Sequence, residues 1–140
     1  MAVPTEEQVL LADPRLAQAI DLFNCGDWYA CHDVFEALWH ETAGPARPAL
    51  QGILQIAVSQ LHQQRENLRG ATILMGEGLG RLKSCESVVL GLDLAELRLA
   101  AAVHLEALQQ QTQREANTLP PLRLSRVTTA EDPPQGDDDL

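Results

Sequence analysis

Cys31-His32-Asp33-Val34-Phe35-Glu36-Ala37-Leu38-Trp39 reads as a helix that carries an imidazole and a carboxylate on its aromatic face. Helical positions advance by about 100° each, so Trp28, His32, Phe35, Glu36 and Trp39 share an arc of roughly 100°. On the same wheel Asp33, Ala37, His40 and Glu41 point elsewhere. Polar groups on an apolar face need partners, because burying them unpaired is costly.

The flanks of this stretch supply the rest of the fold. Upstream, Asp13-Pro14 opens a first helix with an N-cap carboxylate and a proline at the first helical position. Leu16, Ile20 and Phe23 form its apolar stripe, and Asn24-Cys25-Gly26 ends it. Asp27 then caps the second helix, and so short a connection makes the two helices neighbours. Residues 1–12 read as a loose arm or a short turn. Downstream, Gly44, Pro45 and Pro48 break the second helix. The third helix runs from Pro48 to about Glu66 and is apolar nearly all round, which makes it central. Its polar stripe is Gln51, Gln55, Ser59 and His62.

A tight turn or kink is expected at Asn67–Ala71, then a fourth helix to about Ser84, weakened by Gly76, Gly78 and Gly80. Either another helix packs on those glycines or this helix is locally loose. An ambiguous apolar piece ends at Gly91, and Asp93 caps the fifth helix, with Leu94, Leu97, Ala101, Leu105 and Leu108 as its buried stripe. The polar run Gln109 to Arg114 frays. Leu122, Leu124 and Val127 alternate with Arg123 and Arg126 after Pro120-Pro121, the pattern of an extended strip on the bundle. The expected architecture is all-α: a five-helix domain over residues 14–118, a docking strip over 119–127, and a disordered acidic tail over 128–140.

Composition narrows the function classes. The chain has 140 residues, is 45% hydrophobic and carries a net charge of −10. The tail supplies five of the acids, leaving 10 basic against 15 acidic groups in residues 1–130. So acidic a chain repels nucleic acid and anionic membrane. No signal peptide and no apolar run long enough to span a bilayer is visible. Cys25, Cys31 and Cys85 make an odd count without a CxxC pair, which favours buried free thiols and a reducing, cytoplasmic compartment.

The order Phe23-Asn24, Gly26, Ala30, His32, Glu36, Trp39, Gly44-Pro45, Gln51-Gly52-Ile53-Leu54-Gln55, Ala57, His62, Asn67, Gly70-Ala71 resembles the family catalogued as domain of unknown function 309. The resemblance covers about residues 14–84 and implies a small all-helical bundle. Two positions depart from the family pattern. The usual His-Glu pair is His32-Asp33 here, and the usual Gly-Asn is Glu66-Asn67. The family name carries no activity.

If the second and third helices pack antiparallel, His32 and Glu36 meet Gln55, with Gln51, Ser59 and His62 on either side. A carboxylate beside an imidazole can share a proton, act as a base or bind a metal. Amides orient ligands through paired donors and acceptors, and Trp39 offers a water-excluding wall. A metal needs at least three good ligands: His32 and Glu36 are correctly spaced for two and His62 is the candidate third, but structural zinc sites usually use four, often with cysteine, so no metal ligand is assigned. Two readings stand. One is an interaction or scaffold module whose polar cluster of His32, Glu36, Trp39, Gln51, Gln55, His62 and Asn67 is structural. The other is a small-ligand or metal site, enzymatic or not, at His32, Glu36, Gln55 and His62. His104 reads as a satisfied core histidine, and Arg65 and Arg69 as a solvated face. No motif names a cofactor or a reaction.

Overall fold

The computed structural model describes residues 2–110 and 113–127. The helices are α1 Glu6–Ala12, α2 Pro14–Cys25, α3 Trp28–Glu41, α4 Arg47–Gln64, α5 Leu68–Lys83, α6 Leu94–Gln109 and α7 Gln113–Thr118. The all-α class is borne out, with seven helices among the described residues where five were expected. The five correspond to α2 through α6. The loose arm expected at the N-terminus is instead a helix from Glu6, set by a capping box between Thr5 and Gln8. Glu6 ties α1 to the bundle, its carboxylate accepting from Gly44 N–H at 2.6 Å and Ala46 N–H at 2.8 Å. The acidic tail predicted over 128–140 lies outside the described residues.

The chain turns where local chemistry demands it. Asp13 Oδ1 accepts from Arg15 N–H and opens α2. Gly26 (φ 78°) closes it, with Asp27 N–H bonded to Leu22 O and Gly26 N–H to Phe23 O. The end of α4 repeats this pairing with a glutamate in the left-handed position. Glu66 has φ 60°, its N–H bonds Gln63 O, and Asn67 N–H bonds His62 O. The turn is therefore at Arg65–Asn67, earlier than expected. Asn67 is the N-cap of α5, accepting from Gly70 N–H, so Gly70 and Ala71 are already helical.

The ambiguous piece before α6 is a hairpin, β1 Val88–Val89 paired antiparallel with β2 Leu92–Asp93. Leu90 (φ 55°) and Gly91 (φ 71°) make its two-residue turn, both left-handed as a turn matching the strand twist requires. Burial of the Leu90 side chain offsets the cost of that conformation.

Helix α4 is central, as expected. Leu50, Ile53, Ile56 and Ala57 are wholly buried, and α3 and α5 both pack against it. The α4–α5 crossing is made by Gly52 and Gly78. A Cβ on Gly52 would sit 2.8 Å from Leu82 Cδ2, and one on Gly78 would sit 2.9 Å from Gly52 O. Gly80 faces open space. Of the two expectations for the α5 glycines, close packing holds at Gly78.

Beyond α7 the chain runs extended with Leu122 and Leu124 buried. The Asn24 amide clasps it, accepting from Leu124 N–H at 2.7 Å and donating to Leu124 O at 3.0 Å.

Candidate functional site

Two cation–π contacts fix how α3 lies on α4. Arg47 sits 4.2 Å over the Trp39 ring, and Arg65 lies 5.9 Å from the Tyr29 ring. The later α3 residue meets the earlier α4 residue, so the helices are antiparallel. These contacts bracket His32 and Glu36 on one helix and Gln51 and Gln55 on the other. Arg47 Nη1 also donates to Trp39 O and Thr42 O, bracing the loop between them.

The buried line of α3 is Trp28, Cys31, Phe35 and Leu38. His32, Glu36 and Trp39 lie roughly 60–120° round from its middle. The aromatic residues alone set the centre of the sequence wheel. Cys31 and Leu38 draw the core-facing direction away from Glu36. The His32 side chain is accordingly 28% exposed and that of Glu36 46%.

His32 Nε2 is 3.3 Å from Glu36 Oε2, and His32 Nδ1 is 3.2 Å from Asp33 Oδ1. Asp33, which the wheel pointed elsewhere, folds its short side chain back over its neighbour. That approach is not aligned as a hydrogen bond, so the buried Nδ1 atom has no hydrogen-bond partner. An imidazole held between two carboxylates can pass a proton or present a compact ionic patch.

The polar residues of α4 turn to α5 instead. Gln55 Oε1 accepts from Arg81 Nε at 3.1 Å. Ser59 Oγ donates to Ala71 O at 2.6 Å. His62 Nδ1 is 3.1 Å from Asn67 Nδ2. Gln51 is half-buried and Trp39 Nε1 is buried without a hydrogen-bond partner. The structure thus brings His32 and Glu36 together, and His62 and Asn67 together, with no hydrogen bond joining the two pairs among the described residues. Asp33, Tyr29, Arg47 and Arg81 complete the arrangement. Sequence reasoning missed them because the last three act across helix pairs, where periodicity within one helix is silent.

Among the described residues no group of three or more His, Cys, Asp or Glu could hold a metal ion. Four cavities among the described residues are lined by residues other than His32, Glu36, Trp39, Gln51, Gln55, His62 and Asn67. All three cysteines are free thiols. Cys31 is buried as expected, and burial pushes its thiol up to about 12, which leaves it inert as a nucleophile. Cys25 is exposed, contrary to expectation, because it falls on the last, solvent-facing turn of α2. No described helix is long and apolar enough to cross a membrane.

Residues 16–74 match the model of a family described as a domain of unknown function, DUF309, and the resemblance seen in the sequence is borne out. An uncharacterized protein of Bacillus subtilis (strain 168), YpuF, is 34% identical over 74 residues, which cover 51% of this chain and 42% of that protein. The chain therefore spans less than half the length of that curated relative. The family segment runs from α2 into α5 and includes the whole α3–α4 face.

Proposed function

We propose that this chain is a helical interaction module that recognises a protein partner through the outer face of α3. One observation carries this reading. Tyr29, 58% exposed, lies on the same outer surface as the half-exposed His32, Glu36 and Trp39. Amphipathic rings beside paired charges are the composition of recognition surfaces, where aromatic bodies supply area and charges supply register. The pairs between α4 and α5 are frame: Gln55 with Arg81 and Ser59 with Ala71 hold the platform on which α3 lies. His32 and Glu36 belong to the face, and their exposure lends less support to a small-ligand or metal pocket at this position.

The partner's surface is basic, to complement Asp33, Glu36 and a chain of net charge −10. The same charge disfavours nucleic acid. Three free thiols, one of them exposed, fit the reducing cytoplasm.

A photo-crosslinking residue at position 29, with a matched probe at exposed Gln18 of α2, tests the surface. A discrete protein adduct at position 29 that is absent at 18 and diminished by Glu36→Arg is the expected result. Equal labelling at both positions, or adducts indifferent to Glu36→Arg, would remove α3 as the binding face.

A further inference from the structure

A cavity of about 390 Å³ opens elsewhere on the molecule, where the ends of α2 and α4 meet α6, α7 and the extended strap. Its volume lies within the range of small-molecule sites. Its lining is chemically unusual for so acidic a chain. Asn24, Gln60, Gln63, Gln64 and Asn117 contribute amides, and among the described residues no Asp, Glu, Lys or Arg lines it.

The amides are organised. Gln60 Nε2 donates to Gln63 Oε1 at 3.1 Å, and Gln63 Nε2 donates to Asn117 Oδ1 at 2.9 Å. This relay starts at Gln60, which is 7% exposed and whose Oε1 accepts nothing from the described residues. His104, 4% exposed, forms another part of the wall. Its Nε2 faces Pro120 O at 3.2 Å, so the proton sits on Nε2 and Nδ1 is a bare acceptor. That Nδ1 is buried and unpartnered. One buried acceptor, His104 Nδ1, thus lacks a donor, a state that costs free energy, and Gln60 Oε1 in the same lining has acceptor capacity to spare. Trp28 adds a flat apolar wall.

We infer that this cavity binds a small, uncharged, planar molecule with an N–H donor edge, of the nucleobase or primary carboxamide class. The described lining offers no cation to pair a phosphate or carboxylate, and desolvating such a group there is unfavourable. The donor edge meets Gln60 Oε1 and the ring lies on Trp28, with the His104 imidazole in the same wall.

The test is titration of the full chain with adenine, nicotinamide and, as the charged counterpart, adenosine monophosphate. Nitrogen NMR follows the side-chain amides, the Trp28 indole and the His104 ring. Saturable shifts at Gln60 and Trp28 with adenine or nicotinamide, a displaced His104 Nδ1 resonance, and binding of the monophosphate weaker by roughly tenfold are expected. Gln60→Leu removes the acceptor and should weaken binding by about tenfold with the helical spectrum retained. Shifts confined to other surfaces, no saturation up to the solubility limit, equal binding of the monophosphate, or a folded Gln60→Leu that binds like the wild type would each overturn the proposal. Should Gln60→Leu fail to fold, the shift map of the wild type decides.

Discussion

Glu66 shows how one residue can depart from the pattern of a family the chain resembles without changing the local turn. Its φ of 60° is a conformation that costs an L-residue about 1–2 kcal/mol and a glycine almost nothing. The glycine that the resemblance implies for this position would make the same turn without strain, and the hydrogen bonds of Glu66 and Asn67 to the end of α4 keep the turn in place with glutamate. Glu66→Gly should raise stability by about 0.5–1 kcal/mol, the strain relieved less the entropy that glycine adds to the unfolded chain. A urea midpoint that falls would show that the glutamate side chain contributes more than it strains. Glu36 gives the opposite kind of test. Its carboxylate is nearly half exposed and its partner is His32. Glu36→Gln should therefore change unfolding free energy by less than about 1 kcal/mol. A loss several times larger would place the pair in the core.

At the scale of elements, the starts of α2, α3 and α6 were legible because Asp13, Asp27 and Asp93 are residue-level caps, each accepting from a backbone N–H of the helix it starts, whereas Asn67, which caps α5 in the same way, reads in the sequence as part of a turn. The hairpin at 88–93 was not. Leucine at a left-handed position is a poor turn signal, and its burial is settled only by the assembled core. The polar stripe of α4 was correctly grouped but assigned to the wrong neighbour. Period tells which residues share a face, and only packing tells which helix covers it. The same division separates the glycines of α5. Gly78→Ala and Gly52→Ala push a methyl group into the crossing and should each cost about 1–3 kcal/mol, since backbone on both sides resists movement. Gly80→Ala meets nothing within 4 Å and should stabilise by up to about 1 kcal/mol through helix propensity. Thermal unfolding of the three variants checks the ordering, and a destabilised Gly80→Ala would mean that this open face is covered in solution.

At the scale of the whole molecule, two long-range ties close the fold. Arg15 of α2 forms a bidentate pair with Glu41 at the end of α3 and also holds Asp13, and its guanidinium keeps both carboxyls below their usual range. These groups are exposed, so the tie is sensitive to salt. The second tie is the strap, held by Asn24 on Leu124 and by His104 on Pro120. Its pH response follows from burial. Desolvation holds His104 below its ordinary value of 6.5, and the Pro120 carbonyl opposes that only in part. The folded chain therefore keeps His104 neutral where the unfolded chain protonates it. Between the lowered folded value and 6.5 the unfolded state binds more protons, so stability rises with pH across that window and levels off above it. Acidification should loosen the strap before it melts α3 or α4, because protonation places a second N–H at Nδ1 with no acceptor in the described surroundings. His104→Gln retains a donor for Pro120 O but does not titrate. Urea unfolding of wild type and His104→Gln at about pH 7.5 and about pH 5.5 should show a larger loss on acidification for the wild type. Amide exchange should place that extra loss at Leu122 and Leu124. Parallel losses in the two proteins would mean that His104 titrates alike folded and unfolded, and the strap would then owe its pH response to carboxylates elsewhere.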